Sequence, residues 1–305
     1  MKNPPNLFLV GHPRSGTGTW DGLLKSHPKI FMADKELHYF GQDLDFNFPA
    51  RSLENYLAHF AQASNQVYRG DSSTWYLASE TAPQEIHQFC PNAKIFISLR
   101  DPVQWLHSLH AHQYFSAYET EPDFAKALAL EPSRLAQPHL IPNTFPKIGV
   151  FYKQLVDYDT QVKRYLDVFG PEQVHISFLF KSKTNIEHEW SRLLSFLELE
   201  MDYTYKDAAL NSKKQRNANH RSRSRRLQMW LKSDSRRAVL FGLQSTRVPK
   251  GRLMLKALRR LNMTDHKRNP MDPELSNQLR REFLPMVERL EKLLDQDLTT
   301  WKPKQ

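Results

Sequence analysis

The feature that most constrains this chain is one turn, Gly11-His12-Pro13-Arg14-Ser15-Gly16-Thr17-Gly18-Thr19-Trp20, set between an apolar run and an amphipathic stretch. Asn6–Val10 reads as a short strand and Thr17–Ser26 as the helix after it. A turn rich in glycine and hydroxyls at a strand-to-helix junction exposes backbone N–H groups and the positive end of the helix dipole, which together bind phosphate or sulfate oxygens. Ser15, Thr17 and Thr19 add hydroxyl donors, and Arg14 adds a fixed cation. The spacing from Gly11 to Gly16 is that of a nucleotide-triphosphate loop, but Thr17 stands where that loop needs lysine, which weakens a kinase reading.

The rest of the chain repeats the alternation of strand and helix that builds a parallel sheet with helices on its faces. Further strands are expected at Val67–Asp71, Lys94–Leu99 and Val174–Phe180, and helices at Leu53–Gln62, Pro102–Phe115, Tyr152–Phe169, Thr184–Leu197 and Pro273–Asp295. Residues 117–147 hold five prolines and little periodicity, and read as a long surface excursion of the kind that serves as a lid. The expectation is a single α/β domain over residues 1–305. Its P-loop-like core spans 6–230, and a basic, mostly helical part spans 231–305.

Charge is concentrated. Residues 206–268 carry 19 Lys and Arg against three Asp, a local +16 in a chain whose total is +10. Such a segment suits a polyanionic partner: nucleic acid, an anionic surface, or a nucleotide with several phosphates. No window reaches the roughly 20 apolar residues of a membrane span, and the single cysteine, Cys90, excludes an intramolecular disulfide. Both point to a cytoplasmic protein. His107, His110 and His112 lie close together without a carboxylate or thiol at ligand spacing, so they read as an exposed helix face, and no metal is expected.

A second junction matches the first. The strand Lys94–Leu99 ends in Arg100-Asp101-Pro102, and Ser108 follows Arg100 by eight residues on the next helix. With Pro13-Arg14-Ser15-Gly16-Thr17 some 85 residues upstream, the chain resembles the sulfotransferases that use 3′-phosphoadenosine-5′-phosphosulfate (PAPS), in their bacterial and heparan-type branch. Gly149, Tyr152 and Leu155 before the strand Val174–Phe180 extend the likeness. The resemblance implies that Arg14, Ser15, Gly16, Thr17, Gly18 and Thr19 hold the 5′-phosphosulfate, and that Arg100 and Ser108 hold the 3′-phosphate. It places Asn211 to Leu227 in the loop that closes over that phosphate, with Arg221 and Arg223 ahead of Lys213 and Lys214. Lys35-Glu36-Leu37-His38-Tyr39-Phe40 resembles the segment in which the glutamate is the general base, with Lys35 beside the phosphosulfate and His38 as the rival base. Trp75 and Tyr76, in Arg69-Gly70-Asp71-Ser72-Ser73-Thr74-Trp75-Tyr76, either border a ligand or fill the core.

The function so implied is in-line transfer of a sulfuryl group from PAPS to a hydroxyl or nitrogen of a small-molecule or saccharide acceptor. Adenosine 3′,5′-bisphosphate (PAP) is the product, and neither metal nor nucleic acid is required. Two rivals stay open: a P-loop kinase, which needs Mg²⁺ and a loop lysine, and a nucleic-acid binder using residues 206–268.

Overall fold

Strands of a parallel sheet are buried on both faces and therefore read as unbroken apolar runs. Leu7, Phe8, Leu9 and Val10 are fully buried, each stabilising the fold by about 1.5–3 kcal/mol. The computed structural model describes residues 4–46, 52–179, 183–211, 220–231, 258, 260–265 and 269–304, and these fall into two compact units.

The first unit takes in residues 1–106, 153–215 and 273–305. Its sheet has five parallel strands, β1 (Leu7–Gly11), β2 (Ile30–Met32), β3 (Tyr68–Ser72), β4 (Lys94–Leu99) and β5 (Val174–Phe178), in the order β2-β3-β1-β4-β5. Its helices are α1 (Thr17–Ser26), α2 (Leu53–Ala58), α3 (Ala82–Phe89), the start of α4 (Pro102–Phe115), α7 (Tyr158–Phe169), α8 (Lys183–Phe196), α9 (Tyr205–Asn211) and α11 (Pro273–Leu294). Trp20 and Leu24 of α1 and Trp190, Leu193 and Leu194 of α8 cover one face through Leu7, Leu9 and Phe96. On α11, Leu279, Phe283, Met286, Val287 and Leu290 form the buried stripe expected of an amphipathic helix. Where β2 and β3 meet, a Cβ on Gly70 would lie 2.1 Å from Met32 Sδ, so a larger residue there would force the Met32 side chain to move. The chain leaves β1 toward β3 on one side and reaches β4 on the other. The carboxyl end of β1 is thus the topological switch point, where open α/β sheets bind their ligands.

The second unit takes in residues 107–152 and 216–272, with the rest of α4, α5 (Phe124–Ala129), α6 (Glu131–Ala136), α10 (Arg225–Trp230) and an antiparallel pair, β6 (His220–Ser222) and β7 (Met263–Asp265). Its centre is a buried ion pair. Arg134 Nη2 and Nη1 donate to Glu119 Oε1 and Oε2 at 2.7 and 2.9 Å, and the Tyr152 hydroxyl donates to Oε2 at 2.9 Å. Burial works to raise the Glu119 carboxyl, but the Arg134 hydrogen bonds and charge hold it below the usual range.

The expected parallel α/β core is present, and several expected boundaries move. The segment 117–147 is not featureless: α5, α6 and a 3₁₀ turn at Pro138–Leu140 occupy it, because Pro132 and Pro138 stand at helix starts, where a missing N–H costs nothing. The helix expected from Tyr152 begins at Tyr158, since Phe151 and Asp157 lie outside helical φ/ψ and Gly149 sits in a separate 3₁₀ turn, Lys147–Val150. The helix Leu53–Gln62 stops at Ala58. The short strand β2 and helix α3 were not anticipated. The strand from Val174 ends at Phe178, and Phe180 is outside the described residues. His110 is buried rather than exposed, with Nε2 2.9 Å from the Glu121 carbonyl, so these histidines are not a free helix face. Among the described residues no helix is long and apolar enough to cross a membrane.

Removing one partner of a buried pair strands the other charge. Arg134→Met is expected to cost about 3–5 kcal/mol in urea denaturation, whereas Lys163→Ala, which breaks the exposed Lys163–Asp167 pair of α7, leaves the midpoint unchanged.

Candidate active site

The loop after β1 is held by its carbonyls. Gly11 O accepts from Trp75 N at 3.0 Å, and His12 O accepts from Ser15 N at 3.2 Å and Ser15 Oγ at 2.7 Å. Pro13 O accepts from Trp105 Nε1 at 2.8 Å, Arg14 O from Arg100 Nη1 at 3.1 Å, and Ser15 O from Ser98 Oγ at 2.8 Å. Gly16 O accepts from Thr19 N at 2.9 Å, in the first turn of α1. Every carbonyl from Gly11 to Gly16 is thus engaged by the protein, and an anion approaching the loop meets N–H groups instead. The start of α1 agrees: Gly16 is the N-cap, provides no side-chain cap and lies at φ 100°, and the first turn holds no acidic residue. A Cβ on Gly16 would come within 2.8 Å of Leu179 Cδ1, so the turn has no room for a side chain. Arg14 itself adopts φ 73°, a left-handed conformation that costs about 1–3 kcal/mol and is held by the bonds to its neighbours' carbonyls and its own.

His12 forms the floor. It is fully buried, with Nε2 2.7 Å from Gln161 Oε1 and its ring 4.6 Å from Trp105 and 5.7 Å from Tyr158. Burial lowers its pKa to about 4, against the opposing Gln161 bond.

Cations gather at this loop. Arg14 and Arg100 both lose affinity for their protons, Arg14 through burial and Arg100 through burial and the Arg14 charge, while guanidinium remains ionised at neutral pH. The neighbouring carboxylate is otherwise engaged: Asp101 Oδ2 accepts from Arg280 Nη2 at 2.6 Å and Oδ1 from Gln104 N at 3.1 Å. Lys35 Nζ reaches Thr17 Oγ1 at 3.4 Å, bringing an ammonium to the position where the loop lacks its own lysine. Burial lowers the Lys35 pKa, opposed by Glu36 and Asp21.

Glu36 follows, with Oε2 2.9 Å from His38 Nε2. Burial pushes its carboxyl up, but the His38 hydrogen bond and charge and the Lys35 charge outweigh it and hold the group below the usual carboxylate range. The segment is fastened to the end of β3. Leu37 N and His38 N donate to Ser73 Oγ at 2.9 and 3.0 Å, and Tyr39 N donates to the Tyr76 hydroxyl at 2.8 Å.

The first unit therefore brings together Arg14, Ser15, Gly16, Thr17, Gly18, Thr19, Lys35, Glu36, His38 and Arg100. Ser108 is buried on α4 in the second unit, and the strand β6, which includes Arg221, belongs to the same unit. Arg223 is exposed, and its N–H donates to Asn262 O at 2.8 Å. The Arg221 side chain, Lys213 and Lys214 are outside the described residues. Of the basic segment, Arg225 is committed to structure, with Nη2 2.6 Å from Glu119 O and the guanidinium 4.4 Å from the Tyr114 ring. Trp75 and Tyr76 are both buried in the core. Sequence reasoning missed Ser98, Trp105 and Gln161, which act through side chains 80 to 150 residues from the loop. Asp71 and Ser73 had one signal, a run of polar residues from Asp71 to Thr74 at the end of an expected strand.

A glycine turn at a sheet's switch point, with carbonyls tied back and cations and a carboxylate around it, is an arrangement suited to holding an anion. A family model described as the sulfotransferase domain matches residues 4–238, and the chain belongs to the sulfotransferase family. Among its relatives are the membrane-associated sulfotransferase kil1 of Dictyostelium discoideum and carbohydrate sulfotransferase 15 of Homo sapiens. The first is 32% identical over 33% of this chain and 21% of the relative, and the second is 24% identical over 64% and 44%. Heparan sulfate glucosamine 3-O-sulfotransferase 5 of Mus musculus is 23% identical over 56% of this chain and 47% of its own. The chain thus matches less than half the length of these relatives. A sulfotransferase from Alicyclobacillus acidocaldarius shares the fold, with a TM-score of 0.69 at 24% identity over 98% of both chains.

The His12 floor yields a stability prediction. Its folded pKa of about 4 lies below the ordinary 6.5, so the fold disfavours its protonation. Stability is complete above pH 6.5, is lost as pH falls toward 4, and levels off below. The loss is about 3 kcal/mol for this group. Denaturation followed from pH 7 to 4 should show that slope, with a second share from buried His175, and His12→Asn should remove the His12 share.

Proposed function

We propose that this protein transfers a sulfuryl group from PAPS to a hydroxyl or nitrogen of a small-molecule or saccharide acceptor. The observation that carries this reading is the Lys35–Thr17 contact, which joins a low-pKa carboxylate segment to an anion-binding loop within one compact unit. The names of the carbohydrate-directed relatives support a saccharide hydroxyl as one acceptor class.

The residues suit the donor. The tied-back loop and the uncapped start of α1 offer N–H donors to a phosphosulfate. Arg100, whose acidic neighbour Asp101 is taken by Arg280, offers a guanidinium fork to the 3′-phosphate. The assignment of Ser108, Arg221 and Arg223 to that phosphate rests on the sequence motif. When bound, PAPS supplies an electrophilic sulfuryl group and a bisphosphate leaving group. Arg14 and Lys35 stabilise the negative charge that grows on the bridging oxygen. Glu36 takes the acceptor's proton, with His38 holding its Oε2. His38 is thereby an orienting partner of the base, and the low pKa of Glu36 keeps it ionised and ready at neutral pH.

Calorimetric titration tests this reading. PAP should bind with a Kd in the micromolar range or tighter, and ATP at least about tenfold more weakly. Arg100→Ala should lose about 10- to 100-fold in PAP affinity, the worth of a hydrogen bond to a charged group. Equal affinity for ATP and PAP, or no response to Arg100→Ala, would overturn the assignment.

A further inference from the structure

Asp71, the residue before the last of β3, is fully buried and takes no part in the chemistry described above. Three hydroxyls donate to it: Ser73 Oγ to Oδ1 at 2.7 Å, and Tyr56 and Tyr76 to Oδ2 at 2.9 and 3.0 Å. A carboxylate only accepts, and each hydroxyl has a single hydrogen. Asp71 therefore consumes the hydrogens of Ser73 and Tyr76 and leaves each hydroxyl oxygen with its lone pairs as the acceptor for something else. What they accept is the backbone that follows Glu36. Leu37 N and His38 N donate to Ser73 Oγ, and Tyr39 N and Phe40 N to the Tyr76 hydroxyl, the last at 3.3 Å. Four consecutive N–H groups thus hang from one carboxylate through two hydroxyls. The tyrosines are locked as neutral donors, because burial and the Asp71 charge push both phenols well above their ordinary range.

We propose that Asp71, Ser73 and Tyr76 are positioning residues that set the stance of the Glu36–His38 pair relative to the anion loop. The inference rests on the reading of Glu36 as the base. Neither hydroxyl touches Glu36. They fix the backbone of His38, and His38 fixes the carboxylate at 2.9 Å. The same strand end carries Trp75 N to Gly11 O at 3.0 Å, so one short segment, Asp71–Tyr76, sets both the base and the first carbonyl of the loop.

The charged groups at Glu36 are His38 and Lys35 on its own segment. Beyond them stand Asp71 on β3, facing His38, and Asp21 and Lys25 on α1, facing Lys35. Ser73→Ala frees the His38 backbone and weakens the bond that holds Glu36 low, while the burial that raises Glu36 persists. Its titration midpoint should therefore rise, by about one pH unit for the loss of a hydrogen bond to a charged group.

The test follows the Glu36 side-chain carboxyl by carbon-13 NMR across pH, in the wild type and in Ser73→Ala, Ser73→Thr and Tyr76→Phe, with Glu36→Gln to assign the resonance. The expected result is an upward midpoint in Ser73→Ala and in Tyr76→Phe, and recovery in Ser73→Thr, which keeps the hydroxyl. PAP affinity should stay unchanged, and release of PAP from PAPS into water should slow by about 10- to 100-fold, as misplacement of a catalytic group does. Should one variant fail to fold, the other carries the test. A midpoint that stays put in the folded variants, with only the melting temperature lowered, would overturn the proposal. If Glu36→Gln leaves PAP release intact, the base reading fails, and the NMR midpoints still decide the positioning role.

Discussion

The constraint on which the site depends is the engagement of six successive carbonyls, Gly11 to Gly16, four of them by groups behind the loop and two, His12 O and Gly16 O, by the neighbouring Ser15 and Thr19. A backbone turn has as many acceptors as donors, and it becomes an anion site only when the acceptors are occupied elsewhere. Here the occupying groups come from every neighbouring element: Trp75 after β3, Ser98 within β4, Arg100 at its end and Trp105 in α4. The sheet order brings those elements to one point, because β1 lies between β3 and β4. The fold's topology and the loop's chemistry are therefore the same arrangement viewed at two scales.

A second tie-back of the same kind governs the segment after Glu36, with donors and acceptors exchanged. N–H groups are drawn in from Leu37 to Phe40, toward hydroxyls whose hydrogens are consumed by Asp71. Electrostatics joins the two. Arg14, Lys35 and Arg100 lie close enough to perturb one another or the loop, and burial penalises each as an isolated cation. Such an accumulation is stabilised by a polyanion, which the family's nucleotide donor would provide.

Much of this was legible in sequence, for definite reasons. The bounds of α1, β4 and α4 follow from punctuation that the chain carries locally: Gly16 before Thr17, an apolar run ended by Arg100, and Pro102 at a helix start. Arg14 and Arg100 could be picked out because they stand at strand-to-helix junctions, and Lys35 and Glu36 because the segment Lys35–Phe40 resembles one of the family. What was not legible depends on long-range partners. Nothing near Pro13 announces that Trp105 will bind its carbonyl, and nothing near His12 announces Gln161. Prolines misled where they start helices, as Pro132 does in α6, instead of breaking them. The segment before α7 misled because the apolar spacing of Tyr152 and Leu155 continues a helical period through residues that the backbone uses to turn. The charge of residues 206–268 invited a reading as a polyanion-binding segment, yet within it Arg225 is bound to Glu119 O and stacked on Tyr114.

The most direct test of the central claim, that the tied-back loop is the donor's phosphate site, is a crystal structure of the protein with PAP. The account predicts the 5′-phosphate oxygens within hydrogen-bonding distance of the backbone N–H groups of Gly16 to Gly18. It also predicts the 3′-phosphate on the Arg100 guanidinium and the loop carbonyls still held by Trp75, Ser98, Arg100 and Trp105. A nucleotide bound away from the loop, or carbonyls released to make room for it, would contradict the account.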